Sequence, residues 1–147
     1  MIKTISDEEA RTLLSECRTG RLGCVADGGP YVVPVSYIFS DDSIYIHSYP
    51  GRKIKALREN PRACLQVDDV KDTYNWRSAI AFGHYEEIID EEERRRVFRQ
   101  LLSHFPALTP VESVPVHDGQ SSVIVFRIRV EEVTGVAEDS STHAVRR

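Results

Sequence analysis

The sequence has no run of apolar residues that approaches the roughly 20 needed to cross a membrane as a helix. Its first five residues, Met1 to Ile5, also lack the apolar stretch of a secretory signal. The net charge is -4 at pH 7, so the chain has no general excess of positive charge that would attract nucleic acid or an anionic membrane. We therefore expect a cytoplasmic protein with neither nucleic acid nor a membrane as a partner.

Cysteine is scarce, and several nucleotide-binding signatures are missing. Cys17, Cys24 and Cys64 form no C-x-x-C pair and lie in apolar patterns, which favours buried thiols over disulfides, zinc ligands or a nucleophile. Neither a G-x-G-x-x-G nor a G-x-x-x-x-G-K-[ST] motif occurs, which disfavours a Rossmann dinucleotide site and an ATP site. The histidines are scattered, so no metal site is predicted.

The chain length of 147 residues suits one domain with a real hydrophobic core. We assign residues 1–135 to this single domain. Residues 136–147 are small and polar, and are expected to form a disordered C-terminal tail.

Three helices are predicted from their end signals. Ser6–Glu9 and Asp90–Glu93 each have a capping residue followed three positions later by glutamate, the pattern of a capping box. A shorter helix should begin after Gly51 and end before Pro61, since the residue before a proline avoids the helical conformation. Pro106 should end the last helix.

Strand patterns dominate the rest of the chain. Six strands are predicted at Leu22–Ala26, Tyr31–Phe39, Ser43–Ser48, Arg62–Val67, Arg77–Ile89 and Ser122–Val130. Residues 68–74 and 107–120 are predicted to be loops. Consecutive hairpins favour a mainly β fold, an antiparallel β-barrel with peripheral helices, over parallel βαβ winding. Pro34 cannot donate to a strand ladder, so its strand should have an edge, a bulge or an open side there.

Two cations, Arg52 and Lys53, open the short helix, where the positive end of the helix dipole makes cations unfavourable. One explanation is a bound phosphate, held by the first-turn amides and by both side chains. The other is two solvated surface charges. The neighbouring strand ends offer an apolar wall with a few polar groups, which suits a flat ring and hence a mononucleotide cofactor.

Several motifs in order resemble one family. They are Gly20–Gly23, Pro30–Tyr37, Ile44–Ser48, Gly51–Lys53, Asn60–Arg62 and Arg77–Gly83. Their order and spacing resemble the pyridoxamine 5'-phosphate oxidase-like flavin-binding proteins, and are most similar to the nitroimidazole-resistance (Nim-like) branch. The likeness extends from about Ser6 to Gly135.

The resemblance implies an antiparallel split β-barrel of the FMN-binding type, which forms a homodimer with FMN at the subunit interface. It assigns the phosphate to Arg52 and Lys53. It assigns flavin-ring contacts to Val32, Val33, Pro34, Val35, Ser36, Ile46, His47 and Ser48. Arg77 and Ser78 would reach FMN from the partner subunit, while Trp76 would either cover the ring or pack at the barrel rim.

The resemblance also implies a function, a flavin-dependent reductase of a small organic acceptor such as a nitroaromatic compound, with NAD(P)H as donor. His47 is the candidate catalytic residue, as a hydrogen-bonding partner of the flavin ring or a proton donor to substrate. The chain lacks a counterpart of the C-terminal arginine and histidine with which true pyridoxamine phosphate oxidases grip substrate, so that activity is not expected. A flavin-binding sensor or storage module, or a barrel holding haem or a deazaflavin, remain alternatives.

Overall fold

The computed structural model describes residues 1–105 and 123–140, which contain three helices and eight strands. The helices are α1 (Asp7–Glu16), α2 (Arg52–Glu59) and α3 (Glu91–His104). The strands are β1 (Lys3–Thr4), β2 (Thr19–Ala26), β3 (Gly29–Ser36), β4 (Ile38–Ser40), β5 (Ser43–Ser48), β6 (Arg62–Asp72), β7 (Asn75–Glu87) and β8 (Ile124–Glu138). The predicted loop at 107–120 and residues 141–147 of the predicted tail lie outside the described residues.

The strands form one sheet in the order β3-β2-β6-β7-β8-β5-β4, and β1 adds to β8. Every pairing is antiparallel, which confirms the predicted mainly β, antiparallel architecture. The edge strands β3 and β4 are separated in sequence by Tyr37 alone. Because one residue joins the two ends of the sheet, the sheet must curve back on itself, and the result is a split barrel. Pro34 lies on edge strand β3, as its missing N–H predicted.

The predicted strand Tyr31–Phe39 is wrong in one respect, because it is broken at Tyr37. The Tyr37 N–H donates to the carbonyl of Arg18 (3.0 Å), and its fully buried side chain donates from the hydroxyl to the carbonyl of Leu14 (2.5 Å). Up to Ser36 the chain pairs with β2, and from Ile38 it pairs with β5. Tyr37 is therefore the point at which the chain changes strand partner.

Both predicted capping boxes are confirmed at their caps. The Oγ of Ser6 accepts a 3.0 Å hydrogen bond from the backbone N–H of Glu9. A carboxylate oxygen of Asp90 accepts a 2.9 Å bond from the N–H of Glu93. Each bond satisfies one of the amide groups that the first helical turn leaves without an intrahelical acceptor.

Several strand bounds differ from the predictions, and one strand was missed. The predicted loop at 68–74 is wrong, since β6 continues to Asp72 and pairs with β7 almost to the turn. The last strand continues to Glu138, so the polar tail does not begin at 136. Strand β1 was not predicted, and it pairs with the end of β8.

Two apolar clusters hold the sheet and helices together. The larger lies inside the barrel and includes the fully buried Leu14, Leu22, Ile46, Leu57 and Phe126. The smaller lies under α3 and contains Ile88, Val97, Leu101 and Val125, with Tyr45, Phe98 and Phe105 packed against it. Within residues 1–105 and 123–140, the helices are too short or too polar to cross a membrane.

Candidate functional site

A cavity of about 180 Å³ lies where the curved sheet is split. Strand β4 begins opposite Tyr45, whereas β5 continues to Ser48. Beyond the start of β4, the last residues of β5 therefore have no strand partner on that side among the described residues. The end of β3 lies across this gap, and the beginning of α2 lies beside it. The cavity thus results from the short length of β4.

Six of the predicted site residues meet in this cavity. They are Pro34, Val35, Ser36, Ile46, His47 and Lys53. A seventh lining residue, Thr19, was not predicted. Thr19 pairs with Ser36 at the start of β2, but the sequence pattern placed the start of that strand at Leu22, because Gly20 was taken as a helix stop. A longer strand assignment would have placed its hydroxyl beside the site.

Lys53 is half-buried and lines the cavity. Its Nζ donates a 2.6 Å hydrogen bond to the Oγ of Ser48, which in turn donates to the carbonyl of Tyr49 (2.8 Å). The predicted residue Ser48 therefore contacts Lys53. Burial raises the pKa of the Cys24 thiol, and the positive charge of Lys53 acts against this rise.

Arg52, the other predicted phosphate ligand, is not brought into the cavity. Its side chain is 62% exposed, its Nη2 lies 3.4 Å from a carboxylate oxygen of Asp27, and its guanidinium carbon lies 5.0 Å from the ring centroid of Tyr31. Arg52 and Lys53 are consecutive on α2, so their side chains leave the helix about 100° apart. The two cationic groups therefore lie at different surfaces of the chain.

Four further predicted residues lie outside the cavity. Val32 is 64% exposed on the outer face of β3, and Val33 packs against the barrel core. Arg77 forms an ion pair with Asp69 (3.1 Å), on a different part of the sheet. Ser78 accepts a 3.1 Å hydrogen bond from the side-chain amide of Gln66. Any contact of Arg77 or Ser78 with a ligand in this cavity would have to come from a second chain.

His47 forms one wall of the cavity, and its Nδ1 atom is buried. The imidazole meets the ring of Phe98 on α3 in an edge-to-face contact, with centroids 5.4 Å apart and an interplanar angle of 69°. On the sheet, His47 pairs with Val125 of β8. The imidazole is thus held between the cavity and α3.

A buried arginine fastens α3 to the sheet near this wall. The Arg127 side chain is only 10% exposed, and its guanidinium donates two hydrogen bonds to Glu93 (3.1 and 3.2 Å) and one to Glu86 (2.8 Å). Hydrogen bonds from Arg129 first, and then from Arg127, lower the pKa of Glu86 from 4.5 to about 2. Glu86 is therefore ionised at neutral pH and helps to compensate the charge of Arg127.

No group of three or more His, Cys, Asp or Glu side chains is placed to hold a metal ion in residues 1–105 and 123–140. All three cysteines are free thiols. Cys24 is buried as predicted, whereas Cys17 and Cys64 are only half-buried.

Comparison with known proteins places this fold in a family. Residues 6–137 match the family described as pyridoxamine 5'-phosphate oxidase. An uncharacterised protein of Rhizobium meliloti is 30% identical over 143 residues, which cover 92% of this chain and 95% of that protein.

Two solved structures carry the likeness further. A protein of Mesorhizobium loti named as FAD-binding is 34% identical, with a TM-score of 0.82 over 95% of this chain and 99% of that one. A protein of Bacteroides thetaiotaomicron named for 5-nitroimidazole antibiotic resistance is 25% identical, with a TM-score of 0.72 over 93% of this chain and 89% of that one. The match over nearly the whole length, together with the antiparallel split barrel, shows that the chain belongs to the pyridoxamine 5'-phosphate oxidase-like family.

Proposed function

We propose that the protein is an FMN-binding oxidoreductase that reduces a small organic acceptor, such as a nitroaromatic compound, with electrons from NAD(P)H. The observation that carries this proposal is the cavity at the split of the barrel. It combines one ammonium group, two hydroxyls and an imidazole with a smaller apolar area. This donor set fits a planar cofactor with an anionic tail, because such a ligand needs apolar area for the ring and a cation for the phosphate.

Lys53 would bind the phosphate. Its ammonium already donates to Ser48, so the side chain is held near the cavity before the ligand arrives. The hydroxyls of Thr19 and Ser36 lie on the same cavity wall and can donate to phosphate oxygens. Charge-assisted bonds of this kind contribute about 1.5 to 3 kcal/mol each.

The ring would lie against the exposed side chain of Pro34 and against the backbone at Val35 and Ile46, whose own side chains are buried. Edge strand β3 pairs only with β2 in the described residues, so alternate N–H and C=O groups on its other side are available to the polar rim of the ring. His47 would donate or accept a hydrogen bond at the ring or hold a proton for the acceptor. The bound flavin supplies the electron transfer, while the protein orients the reactants and excludes water.

The same site supports a homodimer with FMN at the interface. A cavity of about 180 Å³ is smaller than the roughly 300–1,000 Å³ that encloses a ligand of this size, so one chain covers only part of the cofactor. The outer face of the sheet also carries a cleft of about 530 Å³ lined mostly by apolar residues, with Val25, Val32 and Phe82 exposed. Apolar surfaces of this kind mark interaction sites. Arg77 and Ser78 of a second chain would complete the cofactor site.

FAD is the second candidate cofactor, and one observation favours it. Arg52 lies outside the cavity that holds Lys53, beside the ring of Tyr31, where it could bind the second phosphate of a dinucleotide. The M. loti protein named as FAD-binding is similar to this chain over nearly its whole length. Acid extraction of the purified protein followed by chromatography separates FMN from FAD directly.

The proposal is tested on purified protein by an absorption spectrum recorded during size-exclusion chromatography. We expect a flavin spectrum in a peak of dimer size, anaerobic bleaching by NADH or NADPH, and reoxidation by a nitroaromatic compound or a quinone. A flavin that neither donor reduces would support a non-catalytic binding module instead. A Soret band would indicate haem, and a protein that takes up no flavin from solution would refute the proposal.

The shared site has its own test. Ser78→Trp should weaken flavin binding and dimer formation together, because the bulky ring would lie at the contact between the two chains. Ser40→Trp, at an exposed position on edge strand β4, serves as the control for a bulky residue on the sheet. Full flavin binding by a monomeric Ser78→Trp variant would contradict the interface arrangement.

A further inference from the structure

We propose that Phe98 is a positioning residue for His47. Its ring, held in place by α3, fixes the orientation of the imidazole at the cavity wall. The effect on the cofactor rests on the proposed function. The ring contact itself belongs to the folded chain and can be tested without any ligand.

The contact geometry is that of a directional ring pair. The two centroids are 5.4 Å apart and the planes are inclined by 69°, and aromatic rings prefer this edge-to-face arrangement over a face-to-face sandwich. The Nδ1 atom of His47 is buried, so Nε2 is the ring nitrogen that can meet a ligand. A rotation of the ring about its bond to Cβ by less than a half-turn would change its inclination to Phe98 and would carry Nε2 away from its place at the wall. The orientation therefore decides where the cavity wall presents this nitrogen.

Phe98 can fix this orientation because its helix is fastened at neighbouring positions. Arg94, one turn before Phe98 on the same side of α3, donates a hydrogen bond to the carbonyl of Val123, the residue before β8. On the adjacent row of the helix, the carboxylate of Glu93 receives two hydrogen bonds from the buried Arg127.

The sheet side of the contact is equally constrained. His47 and Tyr45 lie two residues apart on β5, so their side chains lie on the same face. They pair with Val125 and Arg127 of β8, respectively. Val125 packs with Val97 under α3, and the guanidinium of Arg127 lies 5.8 Å from the ring of Tyr45. Helix α3 thus covers both pairs, and the Phe98 ring contacts the one that borders the cavity.

A purely space-filling role for Phe98 makes a different prediction. Phe98 is partly buried against the small cluster under α3, and leucine would fill that space without offering a ring. Phe98→Leu therefore removes the ring contact while keeping apolar bulk, and Phe98→Tyr keeps the ring. Leu102, one turn further along α3 and 37% exposed, provides a control in Leu102→Ala.

The first measurement uses the ligand-free protein. We expect the Cε1–H and Cδ2–H NMR signals of His47 to broaden or double in Phe98→Leu, because the imidazole gains a second orientation. A shift of a single sharp signal is not counted, since loss of the Phe98 ring current produces it in any case. Phe98→Tyr and Leu102→Ala should retain the wild-type signals. Phe98→Met replaces Phe98→Leu if the leucine variant does not fold. Single, sharp His47 signals in the ring-free variant, or the same broadening in Phe98→Tyr as in Phe98→Leu, would overturn the proposal.

The second measurement is a double-mutant cycle on the FMN dissociation constant. Loss of an aromatic contact changes such a constant by about 2- to 10-fold, so we expect Phe98→Leu to raise it by that factor. The effect should disappear when His47 is already alanine, because Phe98 acts through His47. An equal effect in both backgrounds would show that Phe98 does not act through the imidazole. If the wild-type protein binds no flavin, the proposed function fails, and the NMR measurement alone decides the role of Phe98.

Discussion

The Nζ atom of Lys53 lies 2.6 Å from the Oγ of Ser48 and donates a hydrogen bond to it. This contact holds the ammonium at the cavity, whereas the neighbouring Arg52 side chain is 62% exposed beside Asp27. The two cations therefore contribute differently to anion binding, although they are adjacent in sequence.

Lys53→Ala should weaken FMN binding by about 10- to 150-fold, the loss of one charge-assisted contact of roughly 1.5 to 3 kcal/mol. Arg52→Ala should weaken it less, because the arginine must leave Tyr31 and Asp27 before it reaches the same phosphate. Fluorescence titration with FMN measures both constants. Lys55→Ala, an exposed lysine on the same helix, controls for a general loss of positive charge. Equal effects of Arg52→Ala and Lys53→Ala would contradict the separation of the two cations.

Gly83→Ala should destabilise the fold by about 3 kcal/mol or more, as expected when an added atom forces two strands apart. A Cβ at this position would lie 1.9 Å from the carbonyl oxygen of Arg129 and 2.8 Å from its carbonyl carbon. The register of β7 against β8 shifts between Phe82 and Gly83, so the backbones are close at this irregularity.

Urea unfolding measures the effect of Gly83→Ala. Gly29→Ala is the matched control, because a Cβ there meets its nearest neighbour only at 3.9 Å. A Gly83→Ala variant as stable as Gly29→Ala would mean that the strands are not in this close contact.

Arg127→Met should cost about 2 kcal/mol or more of unfolding free energy, because the nearly buried Arg127 guanidinium supplies two hydrogen bonds to the carboxylate of Glu93. Arg129→Met should cost about 1 kcal/mol or less, since the Arg129 side chain is 49% exposed. Both arginines contact the same carboxylate of Glu86. The comparison of the two variants therefore separates the effect of burying the arginine from the effect of losing its charge. Chemical denaturation of the two variants in one buffer provides the comparison, and equal losses would contradict it.

The pH dependence of stability should reveal the ionised state of Glu86. Its pKa is lowered from 4.5 to about 2 in the folded chain, mainly by Arg129. A carboxyl group with a lowered folded-state pKa stabilises the fold fully above its unfolded-state pKa, and this contribution is lost as the pH falls toward the folded-state value. We therefore expect stability to fall between about pH 5 and pH 2.

Thermal unfolding across this pH range measures the effect. The fall should be smaller in Glu86→Gln, which does not titrate. Glu92→Gln, an exposed carboxylate near the start of α3, should retain the wild-type slope. A slope in Glu86→Gln as steep as that of the wild type would exclude Glu86 as the source.

Local sequence signals predicted the parts of the fold that local contacts determine. The caps at Ser6 and Asp90 are confirmed because each depends on one side chain and one amide three residues away. The end of β6 was missed because its polar residues face solvent, so the strand continues on backbone pairing with β7 alone. The pairing of Lys3 with Ala137 joins opposite ends of the chain, and no local pattern indicates such a contact.

The candidate site was predictable to the same extent. The ordered motifs identified His47, Lys53 and the β3 residues as candidates, because residue type and spacing can be read directly from the sequence. The direction in which each side chain points did not follow from the motifs. Arg52 shows this, because consecutive residues on a helix point about 100° apart, and Arg52 therefore points away from the cavity that Lys53 lines. Thr19 was missed for a related reason, since its place depends on the start of a strand.

The single-residue link at Tyr37 has a consequence for how this site can diversify. The two sheet edges that border the cavity are tied by covalent connection at one end, and the buried Tyr37 side chain is locked to Leu14. The width of the opening is therefore a property of chain connectivity and not of the residues that line it. Substitutions in the lining can change which molecule is accepted while the frame around them keeps its dimensions.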